Sequence, residues 1–316
     1  MKLQTEIPLK PQQHNLIDYN SRLILLGSCF VENIGEKLAY YKFQNSLNPF
    51  GILFHPLAIE SLLLNAINDK EYTDEDVFFH NEQWHCYAAH SKLSASSKDD
   101  LLQNLNLAIQ QTKQALEVSS HIVITLGTAW VYRLIESDEV VVNCHKVPQK
   151  KFSKELLSID AIAESLQAMV ALAKSVNPKV SVIFTVSPVR HLKDGFVENT
   201  QSKAHLISAV HQVVEPRRQT CYFPSYEILM DELRDYRFYA EDMVHPNPTA
   251  INYVWERFKK VWLDDSTGAT MKTVDTVQKG MLHRPFNPNS EAHQGFLKVL
   301  KEKKEELVAQ YPFMEF

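Results

Sequence analysis

The chain has 316 residues, 45% of them hydrophobic, enough to bury a large α/β core as one domain or two smaller ones. Its formal charge of -5 leaves no electrostatic case for nucleic-acid binding, which requires a basic face. Its apolar runs are too short to cross a bilayer, and Met1 to Asn20, polar and carrying Pro8 and Pro11, has no apolar stretch of the kind a secretory signal needs.

Four short apolar runs read as buried strands: Leu23–Leu26, Ile122–Leu126, Val180–Val186 and, more weakly, Cys221–Pro224. None alternates clearly, as expected for strands covered on both faces. A helical pattern follows the first run at once, with Phe30, Ile34, Leu38 and Tyr41 at helical spacing. Further amphipathic patterns lie at Leu57–Asn68 (after Pro56, a favoured first-turn residue), Leu101–Leu116, Ile159–Ala173 and Ser202–Val214. This alternation predicts an α/β fold, a mostly parallel sheet with helices on both faces. Val77–His90 and Trp130–Asn143 read as hairpins, turning at His80-Asn-Glu82 and Glu136-Ser-Asp138. Such excursions often shape a pocket. A helix is expected from Thr249 to Val261, and the charged stretch Asn289–Gln310 reads as another. We therefore expect an α/β domain over residues 1–265 and a C-terminal helical extension over 266–316 packed on it.

The four cysteines, Cys29, Cys86, Cys144 and Cys221, form no C-x-x-C pair, which points to reduced thiols and a cytoplasmic protein. His80, His85 and His90 recur every five residues, a spacing that fits neither one strand face nor one helix face, so no metal site is read there. Nothing in the motifs calls for a cofactor.

The chemistry concentrates in a few places. Gly27-Ser28 ends the first strand where a helix begins, which sets Ser28 at the carboxyl edge of the sheet, where open α/β folds bind their ligands. A serine there also commonly just caps the helix. Asp242-Met-Val-His245-Pro lies far along the chain, with Pro246 restricting the histidine's backbone. Ser28 as nucleophile, His245 as base and Asp242 as the group orienting it make one of the orders in which hydrolases assemble a triad. A local turn hydrogen bond is the plainer meaning of Asp-x-x-His. Gly51 and Gly127, two of only eight glycines, are candidate backbone donors for an oxyanion, together with the Ser28 N–H. Asn143 and His145 could donate to substrate oxygens. Lys146, Arg190 and Lys203 could hold an anionic group, and Phe50, Trp84 and Trp130 could line a pocket.

Leu26-Gly-Ser-Cys-Phe-Val31 resembles the eponymous motif of the GSCFA family, among the SGNH/GDSL-like hydrolases. Asn48-Pro-Phe-Gly-Ile, Thr125-Leu-Gly-Thr-Ala-Trp-Val-Tyr, Asn143-Cys-His-Lys, Ser187-Pro-Val-Arg-His and Asp242-Met-Val-His-Pro resemble its further blocks, in the same order, over about Leu23 to Phe258. The resemblance implies a three-layer α/β/α fold with a flavodoxin-like sheet, Ser28 as catalytic serine, Asp242 and His245 as its partners, and Gly51 as a donor. The chain departs from the SGNH pattern in two places. The third block reads Gly127-Thr128-Ala129, without the Asn that donates to the oxyanion, so either Asn143, His145 or Thr128 substitutes or the oxyanion hole is weaker. Cys29 occupies a position where GDSL proteins differ. The reading is a serine hydrolase acting on an ester, such as an acyl ester of a carbohydrate or another small polar molecule. The alternatives are an acyltransferase with the same triad, a ligand-binding protein on the same scaffold and, more remotely, a metal-dependent phosphoesterase.

Overall fold

The four apolar runs all become strands of one parallel sheet in the computed structural model, which describes residues 4–316. In chain order the strands are β1 (Arg22–Gly27), β2 (Gln44–Leu47), β5 (His121–Leu126), β9 (Ser181–Val186) and β10 (Thr220–Tyr222). They lie side by side as β10-β9-β5-β1-β2, every pair parallel. Counted along the chain this is the flavodoxin-like order, which reverses direction between β1 and β5. β5 and β9 are buried at every position, which explains why their sequences are continuously apolar.

Side chains alternate between two cores. Ile24, Leu26, Ile122, Ile124, Val182 and Phe184 face α2 (Pro56–Ile67), α3 (Lys98–Val118), α4 (Ile159–Val176) and α5 (Phe196–Val213). Leu23, Leu25, Val123, Ile183 and Cys221 face α1 (Cys29–Tyr40) and α7 (Pro248–Trp262). α8 (Thr267–Met281) and α9 (Glu291–Gln310) complete the second core with Met271, Val274, Val277, Leu300 and Leu307. The C-terminal helices thus share a core with the sheet, and Tyr40 of α1 donates to Asp275 of α8 at 2.8 Å.

Both expected hairpins form: β3 (Phe78–His80) with β4 (Gln83–His85), and β6 (Trp130–Leu134) with β7 (Glu139–Val141). β8 (Phe152–Leu156) pairs with the other side of β6 to make a three-stranded antiparallel sheet. Sequence reasoning misses β8 and β2. Each is short and half-buried, carries polar residues, and takes its strand conformation from a neighbour's hydrogen bonds. A short turn, α6 (Ser225–Glu227), precedes the loop that leads to α7. No helix among the described residues is long and apolar enough to cross a membrane.

Candidate active site

The turn from β1 into α1 sits at the point where the strand order reverses. Gly27 has φ +128°, and a Cβ there would lie 2.1 Å from the Thr125 carbonyl oxygen of β5, so only glycine fits. Its N–H donates to Asn48 Oδ1 at 2.9 Å, and the Ser28 N–H donates to Thr125 O at 3.0 Å. Ser28 is extended (φ -70°, ψ 167°) and the helix starts at Cys29. Adjacent side chains on extended backbone point to opposite sides. Ser28 turns inward: it is fully buried, and its Oγ has no hydrogen-bond partner among the described residues, not even the helix N-terminus. Cys29 turns outward, half-buried, and lines the cleft.

Across the cleft, the loop before α7 presents His245. Ala240 N–H donates to His245 O at 2.7 Å, Tyr239 pairs with Pro246 across a bridge, and Met243 takes a left-handed φ of 57°. Asn247 caps α7 by accepting from Ala250 N–H at 3.1 Å, with Pro248 in the first turn. Asp242 Oδ1 accepts the N–H groups of Val244 and His245, each at 2.9 Å, while Oδ2 lies 2.6 Å from His245 Nδ1. The His245 N–H and ring, with the Val244 N–H, hold the Asp242 carboxyl down at about 2. Nδ1 therefore carries the proton toward Asp242, and Nε2 is free to act as a base. Nε2 lies 3.9 Å from Cys29 Sγ, the long limit for a thiol hydrogen bond.

Asp242 and His245 thus come together as expected, but the residue paired with them is Cys29 rather than Ser28. Burial pushes the Cys29 thiol above its ordinary range and Glu32 adds to this, while Lys203 and the N–H groups of Cys29 and Phe30 pull the other way. At rest the sulfur is a thiol, and His245 Nε2 is the nearby base placed to accept its proton.

Cys29, Phe54, Thr128, Trp130, Asn143, Arg190, His191 and His245 are among the residues lining one cavity of about 640 Å³. The other expected site residues divide as follows. The Gly51 N–H donates to Asn48 O at 2.8 Å, and its φ of 72° serves a tight turn against His90 rather than an oxyanion. The Gly127 and Thr128 N–H groups both donate to Phe54 O, at 2.8 and 2.9 Å. Gly127 is tightly enclosed: a Cβ there would lie 3.0 Å from Phe54 O, 3.2 Å from Ser28 Cβ and 3.3 Å from His191 Nε2. Thr128 reaches the cavity, yet its hydroxyl accepts from Trp130 N–H and meets Ser202 Oγ. Asn143 lines the cavity with Oδ1 accepting from His145 N–H at 2.8 Å. His145 is a packing residue instead. It is buried beside His85, Phe78 and Tyr87, it bonds Cys86 O through Nε2 at 2.8 Å, and burial holds it down at about 4. Arg190 lines the cavity, touching Tyr239 Oη and Met230 Sδ.

Sequence reasoning missed Cys29 as the cleft-facing thiol, although the start of the helix pattern after Ser28 was the available signal. It also passed over His191, quoted only within its block. Lys203 is placed under the cleft rather than in it. It is buried and donates to Gly127 O at 2.6 Å and Ser187 O at 2.7 Å, tying the ends of β5 and β9 together.

Residues 22–258 match the profile of the GSCFA family, and residues 274–316 match that of the GSCFA domain protein C-terminal domain. No curated protein matches the chain. Among solved structures, the crystal structure of an acetyl esterase mutant with acetate ion is similar at 12% identity and a TM-score of 0.37, covering 80% of this chain and 99% of that one. The family profile spans most of the chain, which therefore belongs to the GSCFA family.

Proposed function

We propose, for this member of the GSCFA family, an acyl hydrolase acting on an ester, with Cys29 as nucleophile, His245 as general base and Asp242 orienting the base. The observation that carries this reading is the line from Asp242 Oδ2 through the His245 ring to Cys29 Sγ, with separations of 2.6 and 3.9 Å. It is the nucleophile–base–orienter arrangement of a triad built on a thiol.

His245 Nε2 takes the thiol proton as Cys29 Sγ attacks the acyl carbon, and the carbonyl oxygen becomes an oxyanion. The intermediate collapses, the C–O bond breaks, and His245 returns the proton to the departing alcohol. The resulting thioester is opened by a water that gives its proton to His245, releasing the acid and restoring the thiol. An alcohol in place of that water makes the same enzyme an acyltransferase. The cavity wall mixes Trp130 and Tyr132 with Asn143, Gln149 and Arg190, which supports a polar substrate such as an acyl ester of a carbohydrate.

Brief incubation with p-nitrophenyl acetate, acid quenching and peptide mass spectrometry test the proposal. The expected result is a hydroxylamine-labile acetyl group on Cys29 that is absent from His245→Ala. Acetylation of Ser28 would return the serine assignment, and a folded protein that never acylates is a binding protein.

A further inference from the structure

An oxyanion needs donors aimed at it, and the turn bearing Cys29 has few to offer. The N–H groups of Ser28, Gly51, Gly127 and Thr128 all donate to main-chain carbonyls. The Cys29 N–H, first in its helix, has no intrahelical acceptor and stands beside its own sulfur. It supplies one donor. A second has to come from a side chain, because Gly127-Thr128-Ala129 lacks the amide expected there.

His191 stands beside the first residue of that segment. Its Nε2 and the Cβ of Ser28 lie 3.3 and 3.2 Å from one point, the position of a Cβ on Gly127. The ring is held edge-on to Phe54, with centroids 5.2 Å apart, and the His191 main-chain N–H donates to Asn199 Oδ1 at 2.9 Å. Both His191 and Phe54 line the cavity with Cys29. Neither ring nitrogen of His191 has a hydrogen-bond partner among the described residues. An oriented imidazole with uncommitted nitrogens, half-buried beside the nucleophile's turn, is a donor without an acceptor.

We infer that His191 donates its Nε2–H to the oxyanion formed when Cys29 attacks an acyl group, taking the place of the missing third-block Asn; this rests on the thiol-triad reading above. Burial, Lys203 and His245 hold His191 down at about 3. The ring therefore stays neutral over the working range, giving one N–H without competing with His245 for protons. A neutral imidazole polarising a carbonyl is established chemistry.

The test compares two reactions of Cys29. Acylation by p-nitrophenyl acetate develops an oxyanion, whereas alkylation by iodoacetamide does not. His191→Ala should lose about 10²–10³ in acylation rate, the usual effect of removing one such donor. KM and the alkylation rate should stay near wild type. His191→Gln, which restores an amide N–H, should recover about tenfold or more and also covers the case in which the alanine variant folds poorly. Wild-type acylation in His191→Ala overturns the inference and leaves the triad standing. Alkylation falling in step with acylation overturns it too, because His191 would then only position Cys29. Loss of acylation in Asn143→Ala but not in His191→Ala assigns the donor to Asn143. A wild-type protein that never acylates Cys29 overturns the triad and this inference together.

Discussion

Replacing Ser28 by alanine separates the two possible nucleophiles. Its hydroxyl is fully buried with no hydrogen-bond partner among the described residues. A buried, unpaired hydroxyl costs about 1–3 kcal/mol of desolvation. Removing it deletes one atom and leaves a void too small to cancel that relief. Ser28→Ala should therefore stabilise the fold by about 1 kcal/mol, raising Tm by about 1–3 °C for a chain of this size. The Ser28 N–H bond to Thr125 O and the extended backbone that aims Cys29 outward do not involve the side chain. Turnover of p-nitrophenyl acetate should stay within about twofold of wild type, since no catalytic contact is removed. Calorimetry and steady-state kinetics on the same preparation read both quantities. A variant that melts like wild type yet loses about a thousandfold in kcat would make Ser28 the reacting group and refute the assignment to Cys29.

Cys29→Ala should abolish both acylation and alkylation while keeping the melting temperature; residual acylation with burst kinetics would point to another nucleophile. In His245→Ala the thiol has lost its base, and burial and Glu32 hold it protonated. Iodoacetamide labelling of Cys29 should then be slow at pH 7 and rise at higher pH than for free cysteine; a profile matching free cysteine would contradict this. Burial brings Lys203 down to about 7 in the folded protein. Between there and the ordinary lysine range the unfolded chain holds the extra proton, so this group's contribution to stability rises with pH across that window and is flat below it. Urea unfolding of wild type and Lys203→Met should show the wild type gaining on the variant from pH 7 to pH 9.5, on the order of 1.4 kcal/mol per pH unit; parallel profiles would refute it. Gly27→Ala should lose about 3 kcal/mol or more, from the Thr125 O clash and the positive φ, and wild-type urea stability would show that the turn is not as described.

The sheet was legible because its strands are buried on both faces. Leu23–Leu26 and Ile122–Leu126 have no other good use for so much apolar surface, and the helix patterns between them force parallel pairing. Asp242 and His245 were legible because three residues of chain and a proline suffice to bring them together. β2 and β8 were not, since strands this short and polar are made by their neighbours' hydrogen bonds.

By itself the sequence determined that a glycine-ended strand feeds a helix at the sheet's carboxyl edge, and that an Asp-x-x-His loop lies far along the chain. Which of two adjacent side chains meets that loop was decided only in three dimensions. Gly27 presses against Thr125 and turns the chain so that Ser28 points into the core and Cys29 into the cleft. The direction of a side chain at a turn depends on backbone dihedrals set by a contact nearly a hundred residues away, and local sequence does not encode that contact.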